Sequence, residues 1–524
     1  MALPANGTKW PPAALADILP KLNEYGAWYS NRTDNLSTIY AGSGRTGLLG
    51  RIRTWFLGAK ADPQADNNRI HVSLAQEICR TSANLLFSEP ATATVEGESV
   101  EKVQERLDLI AGPYFEQTIV SAAEISAALG GVYLRTAWDV KSPRQHAFIT
   151  KVDADMGLPQ FSWGQLVGVT FWRTLHTENN TVWRHLERHE LDEQGVGVIY
   201  HGLYQGMADN LGQLVPLTER PETMGIPVDA DGKVSTLTPG LAVAYAPNIL
   251  PSALWRHDPL GAHYGRSDLE GIEQPLDALD ELYSSWLRDI RLGKGRLIVG
   301  ESMLRDLGAG EGMGFDLDKS IFTPVKVAPS SAGSEKMAIE SVQFEIRTED
   351  FMKAIDHFRR IILGAAGYSP QTFGMVDDGG AVTATEIGAR ERLSFITRKR
   401  KVLGLKPALE YILQKTLAVD AVVFPSGGAK DLPVTVQFPD GLSDDPEAIA
   451  RTNQMDWTSQ SASAETRVKR AHPDWDDIQV KEELARIKAE FDLGESPDPD
   501  DFGRNGAGLS TPPVPEPDPV GAAE

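Results

Sequence analysis

Cysteine is almost absent from this sequence, since Cys79 is the only one among 524 residues. A single thiol excludes an intrachain disulfide, and it leaves no second thiol for a metal site of the CxxC type. Cys79 lies in the stretch VSLAQEICRTSANLLF, whose apolar spacing predicts a helix. We therefore expect Cys79 to be a small buried apolar side chain rather than a reactive thiol.

Long apolar runs are also missing. No stretch reaches the roughly 18 consecutive apolar residues that a membrane-spanning helix requires. The N-terminal segment MALPANGTKWPP lacks the charged-then-apolar pattern of a secretory signal. We expect a protein that is made and kept in a cytoplasm, and 41% hydrophobic residues are enough for two or more folded domains.

Signatures of nucleotide binding and catalysis are scarce. The pattern GxxxxGK[ST] does not occur, and residues 42–47 match GxGxxG without a preceding strand, which favours a turn. The segment HLERH at 185–189 is not the zinc motif HExxH, and its surroundings predict a strand. We predict no catalytic residue, no cofactor and no metal site. A metal-dependent hydrolase using Asp377 and Asp378, or the pair at His185, stays as a weaker alternative.

The chain has fewer basic than acidic residues, 51 Lys and Arg against 73 Asp and Glu. The formal net charge is -22, which argues against a protein that binds nucleic acid over its entire surface. Residues 380–406 are the exception, with seven basic residues against two acidic ones. The basic side chains that we single out are Arg390, Arg392, Arg398, Lys399, Arg400 and Lys401. Three interpretations stay open: a solvated helix face, an electrostatic seam against an acidic neighbouring subunit, or direct DNA contact.

The order of the predicted elements divides the chain. Apolar periodicity predicts mostly helix up to about residue 130, and short β-rich runs predict an antiparallel sheet at 131–250. Asp231-Gly232 in that region is typical of a tight hairpin. Helices are predicted at 275–292 and 348–363, with three strand-like pieces between them. The sequence therefore predicts a small β-containing module at the end of a helical hairpin.

A third and longer helix is predicted after the capping box that begins at Thr383. Gly404 and Pro407 lie in its interior, and we predict a kink there because proline removes a helical hydrogen bond. The runs AVDAVVFP and PVTVQFPD are predicted as strands, and a final helix follows them. Residues 496–524 contain seven prolines and an excess of acidic residues, which predicts disorder.

The helix predicted at 348–363 and the helix predicted after Thr383 are joined by GYSPQTFGMVDDGGAVT, residues 367–383. We predict a flexible acidic loop that forms no regular element, mounted on stiff supports and given conformational freedom by its glycines. The part that we expect to move consists of Gly374, Met375, Val376, Asp377, Asp378, Gly379, Gly380 and Ala381.

Several strings occur in an order that resembles the portal proteins of tailed bacteriophages, particularly the long-tailed kind. They are LLFSEP, DIRLGKGRLIVG, IESVQFEIRTEDF, LGAAGYSPQTFGM leading into TATEIGARE, and SAETRVKRAHPDWDDIQVKEELARIKAE. The resemblance spans about residues 30–495. It implies an α+β subunit with a mixed α/β wing, a two-helix stem, a small β-containing clip, a long kinked helix and a helical crown.

The resemblance also assigns each part of the chain to a portal element. It places the wing at 1–265 with a β-rich part at 131–250, the stem at 266–292 and 348–366, the clip at 293–347, the tunnel loop at 367–383, the long kinked helix and return to the wing at 384–460, the crown at 461–495, and a disordered tail at 496–524.

Portal proteins form a ring, usually of twelve subunits, at one vertex of the virion capsid, and they assemble in the host cytoplasm. The resemblance implies that double-stranded DNA is packaged, retained and ejected through this ring. The implied partners are the terminase, the head-to-tail connector and the major capsid protein, without a membrane. Another phage structural protein that forms no channel, such as a minor capsid or scaffold component, is the alternative.

One feature departs from the family pattern. Some portal proteins are described with lysines in or near the tunnel loop, whereas this loop carries Asp377 and Asp378 and no basic residue. We therefore expect the loop to steer DNA by shape and repulsion rather than to hold it by charge.

Overall fold

A computed structural model describes residues 3–36, 70–97, 100–141, 143–293, 296–300, 305–306, 313–314, 322–325, 340–342, 347–375, 384–439, 446–472, 475 and 477–490. The chain divides into two compact units, Met1–Gly441 and Leu442–Glu524. The first unit combines helices with several sheets, and the described part of the second unit is helical.

Helices dominate the N-terminal part of the first unit, as the apolar periodicity predicts. In the described residues they are α1 (Ile18–Tyr29), α2 (Leu74–Leu86), α3 (Glu101–Ile110) and α4 (Pro113–Leu129). Helix α4 begins with proline, whose fixed φ suits the first helical turn, and ends at Gly130, where φ is +83°. A Cβ at residue 130 would lie 2.3 Å from the Gly265 carbonyl oxygen, so this close approach requires glycine.

Antiparallel sheets occupy the region 131–250, which confirms the β-rich prediction. The strands up to residue 247 are β1 (Thr92–Val95), β2 (Gly131–Ala137), β3 (Phe148–Asp153), β4 (Gly157–Ser162), β5 (Gln165–Glu178), β6 (Thr181–Leu191), β7 (Val196–Met207), β8 (Asn210–Val215), β9 (Lys233–Pro239) and β10 (Val243–Pro247). Strands β4 to β8 follow one another in one sheet, which β9 joins beside β7. A second sheet has the order β10-β2-β3. The short helix α5 (Pro221–Met224) lies between β8 and β9.

Two long helices enclose the next β region, as predicted. They are α6 (Glu273–Leu292) and α7 (Thr348–Ala366). Between them lie β11 (Arg296–Gly300), β12 (Arg305–Asp306), β13 (Met313–Gly314), β14 (Phe322–Val325) and β15 (Glu340–Val342). Strand β11 pairs with β14 in parallel and with β15 in antiparallel orientation. The Arg347 guanidinium lies 2.8 Å from the Asp289 carboxylate, so the end of α6 meets the start of α7 and the two helices run antiparallel.

Helix α8 (Ala384–Val423) is 40 residues long and supplies a large part of one core. Among its buried apolar side chains, Leu405, Ala408, Leu409, Ile412, Leu413 and Leu417 pack with residues of α3, α4, β2 and β10. Strand β16 (Val434–Gln437) follows and pairs with β1. Cys79 is fully buried in a second core built mainly from α1, α2, α6 and α7, which confirms the prediction for its side chain.

Two local predictions are wrong. The run AVDAVVFP, predicted as a strand, forms the last turns of α8 instead, because Asp420 is buried there and accepts hydrogen bonds from Arg106 of α3 at 2.6 and 3.0 Å. Tertiary contacts thus override the β propensity of its valines. Asp231-Gly232 does not form a hairpin, since the turn at Gly232 leads into β9 and the partner of β9 is β7.

The second unit contains three helices in its described residues. They are α9 (Pro446–Ser459), α10 (Ala464–Ala471) and α11 (Asp477–Glu490). Ser463 caps α10 by accepting a hydrogen bond from the Thr466 amide, as expected for a serine before a helix. The Arg470 guanidinium contacts the Asp456 carboxylate at 2.5 Å and so links α10 to α9. The tail predicted to be disordered, 496–524, lies outside the described residues.

Candidate functional site

The segment that follows α7 is folded rather than open. Gly367 ends the helix with φ at +94°, and the Tyr368 amide donates to the Leu363 carbonyl at 2.8 Å. Such a left-handed residue stops a helix and turns the chain sharply. A short 3-10 helix then covers Pro370–Phe373, where the sequence predicts no regular structure. The first half of the predicted loop is therefore an ordered turn.

Two hydroxyl side chains of α8 hold this turn in place. The Ser369 amide donates to Ser394 Oγ at 2.9 Å, and the Thr397 hydroxyl donates to the Gly367 carbonyl at 2.6 Å. The Thr372 and Ser394 hydroxyls share a further hydrogen bond of 2.8 Å. We call Gly367–Met375 together with Ser394 and Thr397 the loop anchor. It ties the residues before segment 376–383 to the helix that follows this segment.

A buried ionic cluster lies directly beneath the loop anchor. It consists of Ser82, Asn248, Asp268, Tyr368 and Lys401, all of them buried. The Asp268 carboxylate accepts hydrogen bonds from Lys401 Nζ at 2.5 Å, from the Tyr368 hydroxyl at 2.7 Å and from the Asn248 amide at 2.8 Å. Lys401 Nζ also donates to Ser82 Oγ at 2.6 Å. The cluster thus joins α2, the residues before α6, the end of α7 and α8 at one point.

The electrostatics of this cluster follow from its burial. Burial lowers the pKa of Lys401, and the Asp268 carboxylate acts in the opposite direction. Burial and then the charge of Asp268 raise the pKa of Tyr368, so its hydroxyl keeps the proton that it donates. A buried charge pair of this kind needs every partner, because the loss of one leaves the other charge without compensation.

The structure changes the extent of the predicted tunnel loop. Met375 is buried in the core that contains α1 and α6, so its side chain does not line an open surface of the subunit. Gly374 is exposed and has φ at +72°, the conformation that glycine tolerates without strain. Val376, Asp377, Asp378, Gly379, Gly380 and Ala381 lie outside the described residues. Met375 therefore belongs to the folded core, unlike the exposed loop residue that the sequence predicts.

The predicted basic helix separates into two groups of side chains. Arg398 and Lys401 are buried within the subunit, where Arg398 donates to the carbonyls of Leu85 and Pro439. The prediction that these two belong to an intersubunit seam is therefore wrong, because they pair inside their own chain. Arg392, Lys399 and Arg400 are exposed, whereas the side chain of Arg390 lies outside the described ones.

Gly404 and Pro407 have different surroundings. Helix α8 continues through both residues to Val423, and the kink stays a prediction. A Cβ at residue 404 would lie 2.4 Å from the Pro247 carbonyl oxygen, at the end of β10. Close packing of α8 on the sheet therefore explains this glycine, independently of any bend. Pro407 is exposed.

The histidines of β6 lie in a polar network between strands. His189 contacts the Glu187 carboxylate at 2.6 Å, and Arg135 of β2 contacts the same carboxylate at 2.5 Å. His185 stacks on His201 of β7, with 3.2 Å between their ring nitrogens. Within the described ranges, no group of three or more His, Cys, Asp or Glu side chains is placed to hold a metal ion.

Sequence reasoning missed the buried ionic cluster. Asp268 stands alone before an apolar row, and Lys401 lies in a run of cations that looks exposed. One signal was present, because Ser394, Arg398, Lys401 and Leu405 recur at intervals of 3 to 4 residues, which places them on one helix face. That face is the buried one. Lysine and arginine on it need partners inside the subunit.

A family model described as "Phage portal protein, SPP1 Gp6-like" matches residues 13–492 of the chain. Among solved structures, one described as "Neck of empty GTA particle computed with C6 symmetry" is similar at 12% identity and a TM-score of 0.35, covering 81% of this chain and 93% of the other. No curated protein sequence matches. Of the helices in the described ranges, none combines the length and the apolarity that a membrane span needs.

Proposed function

Because the chain belongs to the SPP1 Gp6-like family of phage portal proteins, we propose that its copies form a ring-shaped channel at one capsid vertex. Double-stranded DNA is packaged, retained and ejected through this ring, which we expect to contain twelve subunits. The loop anchor is the observation that supports a channel most directly, since it fixes the chain just before an acidic segment to the helix that follows that segment.

We propose that the loop anchor attaches a moving loop to a rigid part of each subunit of the ring. Functional loops act best on a rigid scaffold, and here the scaffold is the junction of α7, α8 and the buried ionic cluster. Residues 376–383 can then change conformation without disturbing the helices that hold the subunit together. We propose that Val376–Ala381 line the narrowest part of the channel.

The chemistry of this segment favours passage of DNA over retention by binding. Each copy contributes Asp377 and Asp378, so a ring presents a circle of carboxylates to the DNA phosphates. Affinity for DNA grows with each phosphate that a protein cation neutralises and with the counterions released. An acidic constriction avoids that contribution, which lets the polymer slide.

The remaining parts of the subunit receive the roles of the portal elements. We propose α6 and α7 as the stem, and the strands between them as the clip that docks first the terminase and later the head-to-tail connector. The sheets and N-terminal helices would form the wing, and α10 and α11 the crown, with the major capsid protein around the ring. The protein would act in the virion after assembly in the host cytoplasm.

Deletion of residues 376–380 tests the role of the loop. We expect rings of unchanged appearance in negative-stain images, together with a loss of DNA packaging or of DNA retention. If the deletion prevents ring formation, the segment is a structural joint and its assignment to the channel is wrong.

Neutralising the two carboxylates tests the charge argument separately. D377N/D378N should leave rings intact and increase the retention of DNA inside filled particles, because repulsion at the constriction is removed. The matched control is E89Q/E193Q, which neutralises two exposed carboxylates of the wing. Equal DNA retention in both variants would contradict a role for the loop charges.

A further inference from the structure

One face of the N-terminal half of α8 is exposed and mixes cations with large apolar side chains. Its members are Arg392, Leu393, Ile396, Lys399, Arg400 and Leu403, which we call the α8 stripe. At about 100° per residue these positions fall within roughly one third of the helix circumference. The opposite face is buried at Ser394, Arg398, Lys401, Leu405 and Ala408. The stripe is therefore a continuous surface.

The apolar members of the α8 stripe are open to solvent. Leu403 is 76% exposed, Ile396 48% and Leu393 42%. Contiguous exposed apolar side chains beside polar groups mark interaction surfaces in soluble proteins. Three cations flank these side chains, so a fitting partner is acidic with some apolar surface of its own.

Helix α3 carries a surface with the complementary character. Its exposed face presents the carboxylates of Glu101, Glu105 and Asp108 beside Leu109, which is 50% exposed, and one cation, Lys102, so the face is acidic on balance. Its other face, with Val103, Leu107 and Ile110, is buried in the core. We call Glu101, Glu105, Asp108 and Leu109 the α3 stripe.

The two stripes cannot meet within one subunit. Helix α3 contacts the far end of α8, where Arg106 holds Asp420 at 2.6 Å. From Arg400 to Asp420 the chain advances along α8 by roughly 30 Å at 1.5 Å per residue. Exposed charges at that distance are screened, since the Debye length is about 8 Å at physiological salt. Complementary surfaces on different parts of one subunit can therefore pair only between copies.

A closed ring needs such a pair of different surfaces. Each subunit contacts one neighbour through one patch and the other neighbour through a second patch, which is a heterologous interface. We infer that the α8 stripe of each subunit docks on the α3 stripe of the next copy, and this inference rests on the proposed ring. The leucines and Ile396 form the apolar centre of the contact, and the charges fix its register.

Charge reversal on either stripe tests this pairing in the full-length chain. K399E/R400E alone and E105K/D108K alone should each lower the fraction of subunits in rings by about tenfold or more at physiological salt. Native mass spectrometry measures that fraction. All four residues are exposed, and among the described residues the substitutions remove only the exposed hydrogen bonds from Arg400 to the Leu250 carbonyl and from Gln104 to Asp108, so circular dichroism should match the wild type and thermal melting should stay close to it. The control K141E/R256E reverses two exposed cations elsewhere and should leave the rings unchanged.

Mixing the two variants gives the decisive result. Alternating K399E/R400E and E105K/D108K subunits restore opposite charges at every contact, so mixed rings should appear, each with equal numbers of both subunits. Rings from either variant alone, or no rings on mixing, would overturn the pairing. Intact K399E/R400E rings that retain DNA poorly would assign the α8 stripe to DNA instead. A wild-type chain without rings would overturn the proposed function, and the pairing with it.

Discussion

Replacing Lys401 by methionine removes the ammonium group from the buried ionic cluster. Asp268 then stays buried with hydrogen bonds from Tyr368 and Asn248 but without its opposite charge. Those two hydrogen bonds exist before and after the change, so they cancel in the difference. Breaking a buried ion pair by removing one partner costs about 3–5 kcal/mol. We expect K401M to lower the free energy of unfolding of the first unit by that amount.

Thermal unfolding followed by circular dichroism and calorimetry measures this loss. For a unit of this size the midpoint should fall by on the order of 5 °C. The matched control is K399M, two residues away on the exposed face of the same helix, which should change stability by no more than about 0.5 kcal/mol. Equal effects of K401M and K399M would refute the structural role of the ion pair.

A double-mutant cycle adds a second check on the same pair. D268N/K401M removes both charges, and it should cost less than the sum of the two single changes, because neither charge is left buried alone. Hydrogen exchange of the Ser369 amide should also accelerate in K401M, since Tyr368 joins the loop anchor to the cluster. Strictly additive effects with unchanged exchange would contradict this coupling.

A glycine substitution in α8 and a fall in pH should each lower the stability of the folded chain. G404A should cost about 1–3 kcal/mol, because its Cβ would lie 2.4 Å from the Pro247 carbonyl oxygen. The control G364A has open space around its Cβ and should be neutral or stabilising by up to about 1 kcal/mol in chemical denaturation. Burial, and for His185 also the neighbouring His201 ring, lowers the pKa of both histidines from 6.5 to about 4. Between pH 6.5 and 4 the two histidines are therefore protonated in the unfolded chain but not in the folded chain. The free energy of unfolding should fall by a few kcal/mol as the pH drops through that range. H185N/H201N should flatten this fall in melting curves, and an unchanged pH dependence would contradict it.

Local patterns predicted the regular elements well where one physical signal dominates. Helix α7 starts at Thr348, with Glu349 and Asp350 in its first turn, and ends at a glycine in the left-handed conformation. Strands β11, β14 and β15 lie within the three pieces predicted as strand-like, RLIVGE, IFTPVKVAP and IESVQFEI. These elements follow from periodicity, capping and turn chemistry, which the sequence displays directly.

The site depends on long-range contacts, which the sequence does not display. Lys401 and Lys399 are neighbours of the same type, yet one is buried against Asp268, more than 130 positions away, and the other is exposed. Met375 stands in a glycine-rich acidic stretch and still packs into the core. Burial of such residues is decided by tertiary partners, so local propensity alone cannot assign their roles.

Negative-stain imaging of the purified full-length chain tests the proposed channel most directly. We expect hollow rings with radial symmetry in the wild type, and rings of the same outline after deletion of 376–380. Monodisperse monomers, or closed particles without a central opening, would contradict it.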